Sequence, residues 1–374
     1  MAICYGITKD GSIITVEYSA SDGEVGTSFD NPYTMDDVYD TAVENEWDDI
    51  VQRTYSEGSF YYFPYTLALR GTDTYFYMKG ISILFDTPED YAIDLYESNI
   101  FIEEDVKRPA NIFSCAMKNQ GNYMRWYNTT DCSVIVQDST FNYFYNNYIY
   151  GNVIWRRVTL RGQNYNFLAR AAGPILEDYN CYNSFYGGLI ENNFTSANRL
   201  NMINCTYGLV VGYGDFSISN LNVINCDYDI RIVSNGYKGD MILIDGDLDI
   251  SNYAAIYVND GSANIYQKTT FNTLIEDSSG GNLTIEDNNG NVLYTELLSS
   301  DSMTEQTIIN KYLFYVGADD EVDVSLYDYT PFTVKVSKSG YQDLEISNIS
   351  VTQGKPTLVY GYMKLPNYRV VTFS

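Results

Sequence analysis

The sequence contains no histidine. That removes the imidazole general base and the imidazole metal ligand. Ser-His-Asp and Cys-His nucleophile systems and most zinc hydrolase sites go with them. Six cysteines, at positions 4, 115, 132, 181, 205 and 226, include no CxxC pair, which argues against a zinc ribbon or a thiol-redox motif. There is no apolar run of the roughly 18 residues a spanning helix needs. The opening "MAICYGITKDGSIITVEYS" has no basic stretch followed by an apolar run and a small-residue cleavage site. The chain as it stands is therefore expected to be made in a cytoplasm without a signal peptide and to make no membrane insertion. Positive charge is scarce: 22 Lys and Arg stand against 49 Asp and Glu, a net charge of −27. Such a surface repels nucleic-acid phosphate, so no nucleic-acid partner is expected. It has instead the oxygen ligands that hard cations such as Ca²⁺ prefer.

What the sequence does have is apolar and aromatic. Hydrophobic residues make up 45% and charged residues 19%, a globular composition, and 38 residues are tyrosine. At 374 residues the chain can bury a large core and hold two or three folding units.

The organising feature is a repeat. "NMINCTYGLVV" from Asn201 is followed 21 residues later by "NVINCDYDIRI" from Asn222. At that offset Leu200, Met202, Ile203, Asn204, Cys205, Tyr207 and Leu209 fall on Leu221, Val223, Ile224, Asn225, Cys226, Tyr228 and Ile230. An offset of 24 places Leu176, Asn180, Cys181 and Phe185 on Leu200, Asn204, Cys205 and Leu209, and an offset of 20 places Val223 and Ile224 on Leu243 and Ile244. Short β-branched stretches at a period of 20 to 24 predict a solenoid of strands. One coil cannot bury its apolar side alone, whereas stacked coils can. Stacking predicts an internal amide ladder of Asn180, Asn204 and Asn225. It also predicts a buried ladder of reduced thiols, Cys181, Cys205 and Cys226, acting as packing rather than as a metal or redox stack.

On these residues the chain resembles the right-handed parallel β-helix superfamily, the pectate-lyase-like fold that also forms phage tailspike shafts and many adhesins. The resemblance spans roughly residues 55 to 280. It implies an all-β fold and no particular activity. Ahead of it, 1–54 reads as a hairpin turning at Lys9-Asp10-Gly11, followed by a helix over 34–52. Thr34 and Asp37 form the cap, and Val38, Ala42, Val43, Trp47, Ile50 and Val51 form the apolar face. A helix there would cover the open edge of the first coil.

Residues 281–374 read differently. "NLTIEDNNGNVLYTEL" is a hairpin with Asn289-Gly290 at the turn. "PFTVKVSKSGYQDLEISNISVTQGKP" resembles the carboxypeptidase-regulatory-like, or transthyretin-like, β-sandwich through Phe332, Val334, Val336, Gly340, Tyr341, Ile349, Val351 and Gly354. That resemblance implies a spacer or docking module and brings no catalytic residue.

Three sets of residues are candidates for chemistry or contact. Asp245, Asp247 and Asp249 in "IDGDLDIS" would share one face if the segment is a strand, as a Ca²⁺ site or an acid/base pair, or simply as part of an acidic surface. "DNNGN" at 287–291 resembles the start of a Ca²⁺ loop, but a hairpin turn accounts for it better. In "STFNYFYNNYIYGNVIW", Tyr143, Tyr145, Tyr148, Tyr150 and Trp155 are candidates for a protein interface or a sugar-binding face. Asn-x-Ser/Thr triplets start at Asn128, Asn193, Asn204, Asn282 and Asn348, with Asn204 expected inside the ladder. Pectate lyases pair Asp-held Ca²⁺ with an Arg or Lys base, and galacturonase-like hydrolases add a histidine and an Arg-x-Lys motif. "DIRIVSN" offers Arg231 without the lysine. The expectation is a structural or adhesion protein of a virion or other surface assembly. It would form a homo-oligomer such as a trimer, contact other assembly proteins or a host surface glycan, and need no cofactor. The alternative is a polysaccharide-active tailspike-like hydrolase or lyase.

Overall fold

A computed structural model describes residues 4–47, 49–55, 58–103, 110–114, 123–128, 132–151, 153–161, 165–169, 174–190, 196–212, 215–232, 237–248, 250–251, 256–258, 261–318 and 321–365. The fold is all-β, a β-solenoid of about 6 turns. Two coils show the rule. Tyr186–Ile190 lies in one sheet; the chain crosses to Ser196–Ile203 in a second, turns through Asn204–Thr206 and re-enters the first sheet as Tyr207–Val211. Successive coils pair in parallel: Tyr186 with Tyr207 with Tyr228, and Leu200 with Leu221. Leu200, Met202, Leu209, Val211, Leu221, Ile230 and Ile232 point inward and are fully buried. Their apolar side chains cover one another coil upon coil, at about 25 cal/mol for each Å² removed from water.

The long strands bend without a break. Ser196–Ile203 turns a corner at Arg199, whose φ is +55°. The neighbouring corners are held by Asp138, Arg157, Asp178, Asn220 and Asp245, all between +48° and +55°. Left-handed backbone is unusual for residues other than Gly, Asn and Asp, so two arginines among these six mark a corner imposed by stacking rather than by local preference. Close approach matters at Gly208, where a Cβ would sit 2.6 Å from the Val223 side chain and 2.8 Å from the Asp229 carbonyl.

The register corrects two of the sequence offsets. Before Leu200 the period is 21 rather than 24: Cys181 lies beside Met202, and Asn180 beside Asn201. From Phe216–Ser219 to the next coil the offset is 25, so that Ile218, not Val223, pairs with Leu243. An apolar pattern of period two matches itself at several offsets, and hydrogen-bond register chooses among them.

At the N-terminus, Ile7–Asp10 and Ile13–Glu17 form the expected hairpin, and the second strand joins the first sheet beside Thr66–Arg70. Helix α1 spans Met35–Glu44, shorter than predicted. Thr34 and Asp37 make the reciprocal cap, while Glu46, at φ +58°, ends the helical path. Val38 and Ala42 enter the core, but Val43 faces solvent and Val51 already belongs to a strand.

At the other end, Gly261–Glu276 and Thr304–Ala318 run antiparallel for most of their length and serve two cores. Ile265 and Leu313 belong to the solenoid core. Phe271, Ile275 and Ile308 join Leu283, Ile285, Phe332, Val334, Val336 and Val359 in a second core. One side of this second core is an antiparallel sheet of Val292–Leu297, Asn282–Glu286, Phe332–Ser337 and Leu344–Ile349; Thr357–Tyr362 pairs in parallel with the far half of Gly261–Glu276. The Asn282–Glu286 and Val292–Leu297 hairpin turns through Gly290 at φ +80°.

Candidate functional site

Stacking converts single residues into columns. Tyr186, Tyr207 and Tyr228 open three successive strands, and their rings stack at 5.5 and 5.3 Å with tilts of 21° and 14°. The Arg231 guanidinium lies 4.6 Å from the Tyr207 ring centre and 5.5 Å from that of Tyr186, and donates to the Tyr186 hydroxyl at 2.7 Å. Val210 is buried against Tyr148, Tyr186 and Tyr207. In a second column Tyr96 stacks on Tyr127 at 4.7 Å, and Tyr150 packs against Tyr127 at 5.7 Å with a tilt of 43°. Beside it, Asp94 is almost buried and accepts from Arg70 at 2.5 Å and from Arg125 at 2.6 and 2.8 Å. The hydrogen bond to Asp94 holds the Arg125 guanidinium above its usual range, and Arg125 lies 4.8 Å over the Tyr91 ring. Tyr127 and Tyr207 have ring neighbours on both sides, and arginine covers part of Tyr186 and Tyr207. The wall therefore offers solvent phenol edges and hydroxyls more than open ring faces.

The aromatic run is split by this arrangement. Tyr143 is 53% exposed at a left-handed turn, and Tyr145, Tyr148 and Tyr150 are half-buried. Tyr145 and Tyr148 pack on Tyr123 at 5.6 and 5.7 Å. Trp155 is a correction: it is fully buried between Phe141 and Tyr179 and can touch no partner. Its position alternates inward in Val153–Arg161.

Asp245 and Asp247 do not lie along one strand. Strand Tyr237–Ile244 ends before Asp245. Asp245 sits at a left-handed corner, where its carboxylate accepts from the Thr270 N–H at 2.8 Å. Asp247 is exposed; its carbonyl accepts from the Gln353 amide, and the Gly354 N–H donates to the Gly246 carbonyl at 3.1 Å. Asp249 lies outside the described residues. Among the described residues no three carboxylates or thiols gather as metal ligands. Asp287 in "DNNGN" folds back on its own turn: burial would raise its carboxyl, but hydrogen bonds from Asn291 and Asn289 outweigh this and hold it low.

The amide ladder also differs from expectation. Asn201 donates to Asn180 at 2.9 Å, and Asn222 to Asn201 at 2.8 Å, so Asn180 belongs to a half-buried ladder with those two. Asn204 and Asn225 do occupy equivalent positions, with Asn183 as their third member, on exposed left-handed turns where Asn is the natural residue. Asn204 is thus outside, whereas Asn128 of the same triplet type is buried, its amide donating to the Cys132 carbonyl. Cys181 and Cys205 are buried with sulfurs 3.5 Å apart, although their positions are not equivalent. Cys226 accepts from the Cys205 N–H at 3.4 Å but is only partly buried. The hydrogen bond with Cys181, then burial, push the Cys205 thiol up to about 12; contact with Cys205, then burial, raise Cys226 further still.

The charged corners were not among the sequence-based expectations. The corner residues Asp138, Arg157, Asp178 and Arg199 alternate in sign, and Arg157 pairs with Asp138 as Arg199 pairs with Asp178. Carrying the offset of 21 upstream from Arg199 would have reached Asp178 and Arg157 within a residue.

Comparison with protein-family models, with curated proteins and with solved structures returned no match for this chain.

Proposed function

We propose that this chain is a structural, contact-forming component of a virion or another surface assembly. On this reading the solenoid is a right-handed parallel β-helix of the pectate-lyase-like type, and the C-terminal strands are an accessory sandwich of the carboxypeptidase-regulatory-like type. The observation that carries the proposal is the column of Tyr186, Tyr207 and Tyr228 buttressed by Arg231. Tyrosines held rigid by their own stacking give contact area at little further cost in side-chain entropy, which suits a protein partner. The acidic candidates support it as well, since Asp245 and the Asp247 backbone already hold neighbouring segments together.

The second reading, a carboxylate-dependent polysaccharide hydrolase or lyase, draws on one observation. Asp229 is half-buried, and burial raises its carboxyl, which is how a general acid is prepared. Incubation with the surface polysaccharides of the source's host separates the two. The structural reading expects no release of oligosaccharide. Release that disappears in Asp229→Asn, Asp245→Asn or Asp247→Asn overturns it in favour of the enzyme.

A further inference from the structure

Among the described residues, a row of strongly exposed apolar side chains lies on the strand Thr357–Tyr362. In Thr357–Tyr362, Thr357, Val359 and Gly361 face the second core, while Leu358, Tyr360 and Tyr362 are 71%, 56% and 52% exposed. Leu365, just beyond, is 54% exposed. The strand pairs with Gly261–Glu276 on one side only; among the described residues its other side has no strand partner along Thr357–Tyr362, and antiparallel pairing resumes only at the single bridge of Gln342 with Lys364. A strand with one open edge and an apolar outer row is a template for another strand.

Charge selects the occupant. The six residues Thr357–Tyr362 carry no charged side chain in a chain of net charge −27. Two copies repel across most of their surfaces, and this strand itself brings no carboxylate to the contact; Glu276 of the neighbouring strand lies beside it and accepts from the Tyr360 hydroxyl at 2.6 Å. Its sequence is also complementary to itself. In an antiparallel pair centred on Tyr360, Tyr360 faces Tyr360 and Leu358 faces Tyr362, giving aromatic and aromatic–aliphatic cross-strand pairs.

We propose that Thr357–Tyr362 is the contact through which a second copy of this chain adds on, antiparallel, about a two-fold axis at Tyr360. This deepens the structural role above by naming one partner. The four exposed side chains offer roughly 400 Å², about half of what one partner contributes to a standard stable interface. The dimer is therefore weak and concentration-dependent, and edge hydrogen bonds supply the rest of its affinity.

Sedimentation velocity on the full chain, from nanomolar to high micromolar concentration, should show a reversible monomer–dimer shift. Tyr360→Lys should weaken it by at least about tenfold, the loss of 1.4 kcal/mol, with an unchanged circular dichroism spectrum. Single-cysteine cross-linking reads the register. Tyr360→Cys should form a disulfide dimer under mild oxidation. Leu358→Cys alone should not, because its copies lie about 13 Å apart along the paired strands. A mixture of Leu358→Cys and Tyr362→Cys chains should cross-link. A chain that stays monomeric throughout overturns the proposal, and so does Leu358→Cys linking to itself as readily as Tyr360→Cys. Should Tyr360→Lys fail to fold, Tyr360→Thr, which keeps β propensity, carries the sedimentation test. Neither overturning result bears on oligosaccharide release, so failure here is distinguishable from failure of the functional reading.

Discussion

In the coils from Tyr186 to Ile232, an outward aromatic leans on its counterpart one coil away. In the C-terminal module, the outward Leu358, Tyr360 and Tyr362 stand more than half exposed. Both regions are sheets with a buried inner row, so the inner rows do not explain the contrast. Repetition does: a coil copied at a fixed register covers the outer row as well as the inner one. A module built from non-identical strands covers only its own core and leaves its last strand open. The two regions are nevertheless one sheet where Gly261–Glu276 passes from the first core into the second.

The largest test of this contrast lies in the repeat. Cys205→Asp places a charge in a buried thiol cluster and should destabilise the protein by about 3–5 kcal/mol. Cys226→Asp should cost less, because Cys226 is partly exposed. Urea unfolding gives both values, and equal costs would mean that the two sites are not differently buried. Phe271→Ala, in the second core, should cost about 3 kcal/mol or more. Because Gly261–Glu276 belongs to both cores, Phe271→Ala and Ile265→Ala should each lower one shared thermal transition. Two separate transitions, each moved by one variant, would show that the regions unfold independently.

A smaller effect concerns the join itself. Gly354 has φ +71°, and a Cβ there would meet the Asp247 carboxylate at 2.8 Å; Gly340 has φ +83° with nothing within 4 Å. Gly354→Ala should therefore cost more than Gly340→Ala, by about 1 kcal/mol beyond the shared backbone strain. Equal losses in thermal unfolding would remove the contact of this loop with the last coil from the account.

The smallest effect is at the charged corner. The hydrogen bond from Arg199 holds the Asp178 carboxyl below its usual range. A carboxyl lowered on folding contributes stability above its unfolded pKa, near 3.9, and that stability is lost as pH falls through the lower folded value. Both side chains are a third or more exposed, so Arg199→Ala should cost under about 1 kcal/mol at neutral pH. The difference should fade in high salt and in acid. A loss that persists under both conditions would assign Arg199 to packing rather than to its charge.

The repeat of 21 was legible because Leu200, Met202 and Leu209 recur with their polar neighbours, and neither rotamers nor partners are needed to see it. The outer offsets were not legible. Alternating apolar strands match themselves at several shifts, and only backbone pairing places Asn180 beside Asn201 and Leu243 beside Ile218. The capping pair Thr34 and Asp37 was visible because it is local and uses the residues a cap prefers, whereas the helix ends at a left-handed turn on Glu46, a residue that does not advertise that conformation. Trp155 was misplaced for a similar reason: inward and outward positions in a strand depend on its register, which a tyrosine-rich run conceals. The full tyrosine column was not legible because Tyr186 lies outside the two repeats that match most closely, which hold only Tyr207 and Tyr228, one each.

Coil register itself is best tested by one distance. Tyr143 and Asn225 are 82 residues apart and occupy the same left-handed turn, four coils from one another. Spin labels at these two exposed positions, in a chain with Cys226 replaced by serine, should give a separation of about 19 Å, four strand spacings. A narrow distribution near that value is the predicted result. A main distance beyond about 30 Å, or one shorter than about three strand spacings, would contradict the stacked-coil account.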